Sequence, residues 1–159
     1  MNRLLGATVL GFIVLLLAGS GAPRTGSEAL TRSPQAQAIG QDVERDSAAE
    51  ALFAKIEAGI TSGETARFSQ DLARQTYVSV RGKESGYFSA NQAFLIVRNY
   101  FSSRRLASFK LSKQESAGSM PFATGGGTFM SRGTLEQFQV YVALTRVESR
   151  WVIAQFNVY

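Results

Sequence analysis

The strongest constraint on the fold is an alternation of apolar and polar residues that fills the last third of the chain. Four segments carry it, at 108–115, 122–130, 135–147 and 150–159, and turns rich in glycine or serine separate them. Successive side chains of a strand point to opposite faces of a sheet, so a period of two indicates strands with one apolar face. Glu148-Ser149 is a two-residue connection suited to a hairpin. We therefore predict four consecutive antiparallel strands.

Helical patterns precede these strands. Ser47 and Glu50 have the spacing of a capping box, in which both side chains satisfy backbone N–H groups at a helix start, and Ser89 and Gln92 repeat it. A shorter helix is predicted at 64–73, followed by an extended hairpin whose strands lie at 76–80 and 86–88. The order is helix, helix, hairpin, helix and four strands. It predicts an α+β fold in which the helices pack on one face of a curved antiparallel sheet.

Three successive glycines, Gly125, Gly126 and Gly127, interrupt the second of the four strands. Glycine inside a strand marks a bulge or bend, or a place where another group approaches the backbone closely. A bend that lets the sheet curl is the structural interpretation. Close approach of a ligand is the alternative.

The beginning of the chain has the layout of a secretory signal peptide. Arg3 precedes the uncharged apolar stretch 4–18, and small residues follow at 19–22. We predict export to the periplasm or the medium, with cleavage near Ser20; a cut after Ala22 is an alternative. An uncleaved anchor is the other alternative, but the apolar stretch is shorter than the about 20 residues of a spanning helix.

The predicted organisation is a signal peptide at 1–20, a flexible linker at 21–45 and one α+β domain at 46–159. The linker is rich in small and polar residues and lacks a periodic apolar face, so it has little apolar surface to bury. Contact with a membrane is expected only through the leader, before cleavage.

The chain contains no cysteine and no histidine. Disulfides, thiolate and imidazole metal sites, cysteine nucleophiles and the Ser-His-Asp triad are therefore excluded, and we predict neither a metal nor a cofactor. From Ser47 onward there are eight acidic residues, and none lies inside an apolar run that would raise its pKa. Glu115 and Glu136, near strand ends, are the carboxylates that best fit a catalytic acid or base. The residues predict no catalytic group.

Several motifs resemble an uncharacterised family of exported bacterial proteins, the domain of unknown function 4783. They are the opening Leu-Phe-x-x-Ile at 52–56, Gly82-Lys83-Glu84-Ser85-Gly86-Tyr87-Phe88-Ser89 before the second capping box, Gly133-Thr134-Leu135, and the closing Trp151-Val152-Ile153 with Phe156-Asn157-Val158. That family is similar to the nuclear-transport-factor-two-like, or cystatin-like, superfamily. The resemblance implies a cone, formed by a curved antiparallel sheet wrapped around helices. It says little about activity, because the superfamily contains both enzymes and binding proteins.

Two functions follow as hypotheses. The first is a non-catalytic binding or interaction module; the second is an isomerase- or dehydratase-like enzyme that uses a pocket tyrosine and a carboxylate. If the cone has a cavity, a small apolar ligand would be oriented by polar and aromatic residues of the strands. The candidates are Tyr77, Tyr141, Trp151, Gln155 and Asn157. If Gln155 and Asn157 lie on the outer face of the sheet, they are ordinary surface residues.

Positive charge is concentrated in the middle of the chain, where nine basic and two acidic residues lie between Arg67 and Lys113. Such a patch attracts an acidic protein, an anionic lipid or a charged surface polymer, although a solvated face is the simpler interpretation. No nucleic-acid motif is present, and nucleic acid is not a predicted partner. The predicted basic patch comprises Arg98, Arg104, Arg105, Lys110 and Lys113.

By analogy with the superfamily, a homodimer through strand 135–147 is a further hypothesis.

Overall fold

The computed structural model describes residues 34–83 and 85–159, and it describes side chains from Asp46 onward. The predicted signal peptide, its cleavage site and the first part of the predicted linker lie outside the described residues. No helix within the described part of the chain is both long and apolar enough to cross a membrane.

Helix α1 spans Pro34–Thr61, so the prediction that the linker reaches residue 45 and that a helix starts at Ser47 is wrong. Proline is well suited to the first turn of a helix, and the alanines, glutamines and glutamate that follow favour helix. The helix therefore starts before the capping-box motif, and Ser47 lies inside it. The predicted apolar face is confirmed: Leu52, Phe53, Ile56 and Ile60 are buried.

A 3-10 helix, Thr65–Asp71, stands where a short α-helix was predicted. It buries Phe68, whose ring stacks on Phe156 with the centroids 6.1 Å apart. The buried carboxylate of Asp71 accepts a hydrogen bond of 2.6 Å from Lys55 Nζ, and Arg150 lies 3.7 Å away. This acid therefore joins the 3-10 helix to α1 and to the last strand.

The second predicted capping box is confirmed. Ser89, with extended backbone, accepts from the N–H of Gln92, and Gln92 Oε1 accepts from the N–H of Ser89 at 3.1 Å. Helix α2, Ala90–Ser102, begins there.

The α+β class is confirmed, with six strands in one sheet. They are β1 Leu72–Val80, β2 Ser85–Ser89, β3 Arg105–Glu115, β4 Phe122–Ser131, β5 Thr134–Val147 and β6 Arg150–Val158. Their order across the sheet is β2-β1-β6-β5-β4-β3, so β3 to β6 form the predicted antiparallel meander.

One pairing differs from the predicted antiparallel sheet: β1 and β6 are parallel. Parallel neighbours need a long crossover, and β2, α2 and the first three strands of the meander provide it. Residue alternation does not specify strand direction, so the sequence pattern could not reveal this pair.

The glycines of β4 lie where β3 comes close. A Cβ added to Gly125 would lie 2.8 Å from the Leu111 Cα, and one added to Gly127 would lie 2.6 Å from the Phe138 ring. Gly126 points to the other face, where the nearest atom to such a Cβ is the Phe138 carbonyl oxygen at 3.4 Å. The structure therefore supports the bend interpretation for Gly125 and Gly127, but no close packing requires Gly126.

Candidate functional site

Aromatic side chains fill the space between the concave face of the sheet and the helices. The Phe129 and Phe138 rings stack with centroids 4.2 Å apart, and Phe101 lies 5.9 Å from Phe138. Phe109 and Phe156 extend the cluster, and all five side chains are buried. The interior of the cone is therefore a packed core.

Four of the five predicted ligand residues lie on the outer face of the sheet. Tyr77 is paired with Gln155, and Tyr141 is paired with Asn157. Their strand neighbours, including Val78, Val142 and Phe156, are buried on the inner face. Alternation therefore turns the four candidates away from the helices. Trp151 lies on the other side and packs against the core, so the five residues do not form one site.

Asn157 has an unusual environment for a residue of the outer face. It is 5% exposed, and its Nδ2 donates to the Tyr159 hydroxyl at 3.0 Å. Among the described residues no group donates to its Oδ1. A buried polar atom without a partner is costly and marks a place where a further hydrogen-bond donor would be stabilising.

The predicted basic patch is divided between elements. Arg105, Lys110 and Lys113 lie on the outer face, across from Met130, Gly126 and Thr124. Arg98 belongs to α2, with its guanidinium 5.5 Å from the Phe94 ring centroid. Arg104 covers the Tyr100 ring at 4.0 Å and donates to the Tyr100 carbonyl at 3.0 Å. Three of the five predicted residues therefore share one surface.

A step in the sheet forms a concave site that the sequence patterns did not predict. β5 begins at Thr134, but its pairing with β6 begins only at Val140, and Tyr159 follows β6 to pair with Gln139. Two adjoining hollows, of about 570 and 590 Å³, lie at this step, and both are lined by Arg81, Gln137 and Tyr159. We call these hollows together the step groove. The unequal lengths of the two predicted strands were the signal that could have indicated it.

One end of the step groove contains Tyr100, Arg104 and Glu136. Burial raises the pKa of Tyr100 above its ordinary value, and the charges of Arg104 and Arg81 partly oppose that shift. The phenol is therefore neutral at neutral pH and can donate a hydrogen bond. Glu136 is exposed, so it is a solvated carboxylate rather than a buried acid or base.

Acidic side chains are scattered over the described part of the chain. No group of three or more acidic side chains lies close enough there to hold an ion. Asp71, the buried carboxylate, is already paired with Lys55 and Arg150.

Comparison with known proteins agrees with the fold. Residues 53–158 match the family model described as domain of unknown function DUF4783. A DUF4783 family protein from Bacteroides ovatus has 17% identity and a TM-score of 0.56, covering 66% of this chain and 91% of its own. The structure described as Rd1NTF2_04 with long sheet has 11% identity and a TM-score of 0.57, covering 70% and 99%.

A putative ketosteroid isomerase from Shewanella frigidimarina is similar at 16% identity and a TM-score of 0.57, covering 72% of this chain and 96% of its own. No curated protein matches the chain. At these identities the structural likeness concerns the fold alone, and it agrees with the α+β fold of helices and a curved six-stranded sheet.

Proposed function

We propose that this chain, which belongs to the DUF4783 family of unknown function, is an exported, non-catalytic module that binds an acidic protein partner. The packed interior of the cone carries the proposal. Phe101, Phe129 and Phe138 occupy the space in which a pocket enzyme would hold its substrate. Recognition therefore takes place at the surface, where a protein partner can be bound without a cavity.

The charge of the outer face supports an acidic partner. β3 presents Arg105, Lys110 and Lys113 on that face, and Lys110 lies beside the bare backbone of Gly126. Clustered cations raise the association rate with an acidic partner and make the binding sensitive to salt. Lysines on an edge strand also prevent strand-to-strand aggregation, so a direct binding measurement is needed to assign them to a partner site.

Titration with fluorescent polyglutamate at rising salt concentration tests the binding. We expect an affinity that falls as salt increases, and that falls further in Lys110→Glu. Arg98→Glu is the matched control, because it changes the net charge equally but from helix α2. Equal losses in both variants, or no binding at low salt, would refute a site on the outer face.

Export is the part of the proposal that the leader pattern supports. The mature protein, recovered from the periplasm or the medium, is expected to begin at Gly21. Mass spectrometry of its N-terminal peptide measures this directly. Recovery of the intact chain with the cells would contradict it.

A second candidate function is a small-molecule isomerase or dehydratase acting at the step groove. The observation in its favour is the neutral phenol of Tyr100 in the same hollow as Arg104 and Glu136. Exchange of a proton next to a ketone carbonyl, lost in both Tyr100→Phe and Glu136→Gln, would establish it. Absence of such exchange in the wild-type protein would exclude this second function and favour the binding module.

A further inference from the structure

The step in the sheet leaves part of the β5 backbone without a strand partner. Gln139 donates to the Tyr159 carbonyl at 3.2 Å and accepts from the Tyr159 N–H at 3.0 Å. In an antiparallel strand, alternate residues direct their N–H and C=O groups to the same edge. The main-chain groups of Leu135 and Gln137 therefore face the step groove, and no described strand pairs with them there.

The other free edges of the sheet are protected. Glu57 of α1 covers the edge of β3 by accepting a hydrogen bond of 2.7 Å from the Leu111 N–H. β3 also carries Lys110 and Lys113, and the opposite edge strand, β2, has five residues. Natural proteins guard edges by covering, charging or shortening them. The edge of β5 at 134–138 has neither proline nor lysine, and residues 134–137 are exposed.

The charges around this edge favour a negatively charged occupant. Two cations, Arg81 and Arg104, line the step groove against one carboxylate, Glu136. Within residues 46–83 and 85–159, the Arg81 guanidinium has no ion-pair or hydrogen-bond partner, whereas Arg104 is held by Tyr100. With respect to the described residues, Arg81 can therefore pair with a carboxylate in the groove. Leu135, which is 56% exposed, adds an apolar contact.

We propose that an extended acidic segment of a partner protein adds to β5 as a short strand within the step groove. Its backbone pairs with Leu135 and Gln137, and one of its carboxylates pairs with Arg81. In this mode main-chain hydrogen bonds supply affinity, and side-chain contacts supply specificity. The inference rests on the proposed binding function and deepens it by naming the strand edge at which the partner binds and the conformation of the partner.

The probe is a fluorescein-labelled hexapeptide of alternating valine and glutamate, since valine favours extended backbone. We expect it to bind the wild-type protein and Gln137→Ala, which keeps the backbone N–H. Gln137→Pro removes that N–H, at an edge position where proline is tolerated, and is expected to weaken binding at least about tenfold, the effect of 1.4 kcal/mol. Arg81→Ala is expected to weaken binding and to reduce its salt dependence.

A second peptide, N-methylated on alternate residues, tests the same pairing without altering the protein. It keeps the charges and side chains but cannot form the ladder, so it is expected not to bind. Equal binding of the two peptides would overturn strand addition while leaving the charge-driven function intact. Absence of salt-sensitive binding for any acidic polypeptide would instead remove the proposed function itself.

The β5 edge could instead pair with the β5 edge of a second copy of this chain. Analytical sedimentation of the wild-type protein and of Gln137→Pro distinguishes such a dimer from binding of a separate partner. A monomer in both samples agrees with a separate partner. A wild-type dimer that Gln137→Pro converts to a monomer would overturn the proposal in favour of a second copy of this chain.

Discussion

At the scale of single residues, the three glycines of β4 have different structural roles. Gly125 and Gly127 face the core, where a side chain would meet β3 or the Phe138 ring. Gly126 faces outward and lies on the floor of the outer surface beside Lys110 and Gln139. The bend of the sheet therefore requires two of these glycines, and the third leaves the outer backbone open.

Alanine at these positions should separate the two roles. In Gly127→Ala the added methyl group overlaps both the Phe138 ring and the β3 backbone. The variant is therefore expected to be destabilised by about 1–3 kcal/mol, as in other overpacked cores. Gly126→Ala meets no close neighbour and is expected to be neutral or stabilising by up to about 1 kcal/mol. Urea unfolding of both variants measures the difference. A similar loss in both would show that the outer position is also packed.

At the scale of elements, two motifs with the same capping-box spacing led to opposite outcomes. The Ser89 capping box starts α2 because Ser89 ends β2 with an extended backbone, so the helix cannot extend backwards. The Ser47 motif follows residues that favour helix, and α1 passes through it. A capping box reports a helix start only where the preceding residues have another structure. That condition belongs to the neighbouring element and is not contained in the four residues.

The contact between α1 and β3 gives a prediction at this scale. Replacing Glu57 by alanine leaves the Leu111 N–H without its acceptor and uncovers the β3 edge. We expect a loss of about 1–3 kcal/mol in unfolding free energy, with self-association that increases with concentration. Glu57→Gln is the control, because its amide oxygen still accepts. Chemical unfolding and light scattering check both effects; an alanine variant as stable and monomeric as Glu57→Gln would contradict them.

At the scale of the whole molecule, the sequence predicted the class of fold and the order of its elements better than the location of a site. Alternation correctly placed Gln155 and Asn157 on one face, but only the packing of α1 and α2 decided that this face is the outer one. The step groove depends on the relative register of β5 and β6, together with Arg81 from a distant part of the chain. Neither local propensity nor periodicity contains that information.

The packed cone gives the last prediction. Phe138 is 3% exposed and contacts the rings of Phe101, Phe109 and Phe129. Truncation to alanine is expected to cost about 3–5 kcal/mol and to leave an apolar cavity. Such cavities stay dry and bind small apolar molecules, so benzene should raise the melting temperature of Phe138→Ala but not of the wild-type protein.

Phe138→Leu is the milder variant for the case in which the alanine protein does not fold. It removes less volume, so a smaller loss of stability and a weaker response to benzene are expected. Calorimetric melting with and without benzene provides the measurement for all three proteins. An equal benzene response in the wild type would mean that the cone already holds a cavity, and it would favour the pocket enzyme over the binding module. If the wild-type protein shows no such response, its interior has no room for a ligand. Recognition then takes place at the surface, at the open edge of β5 and the cations around it.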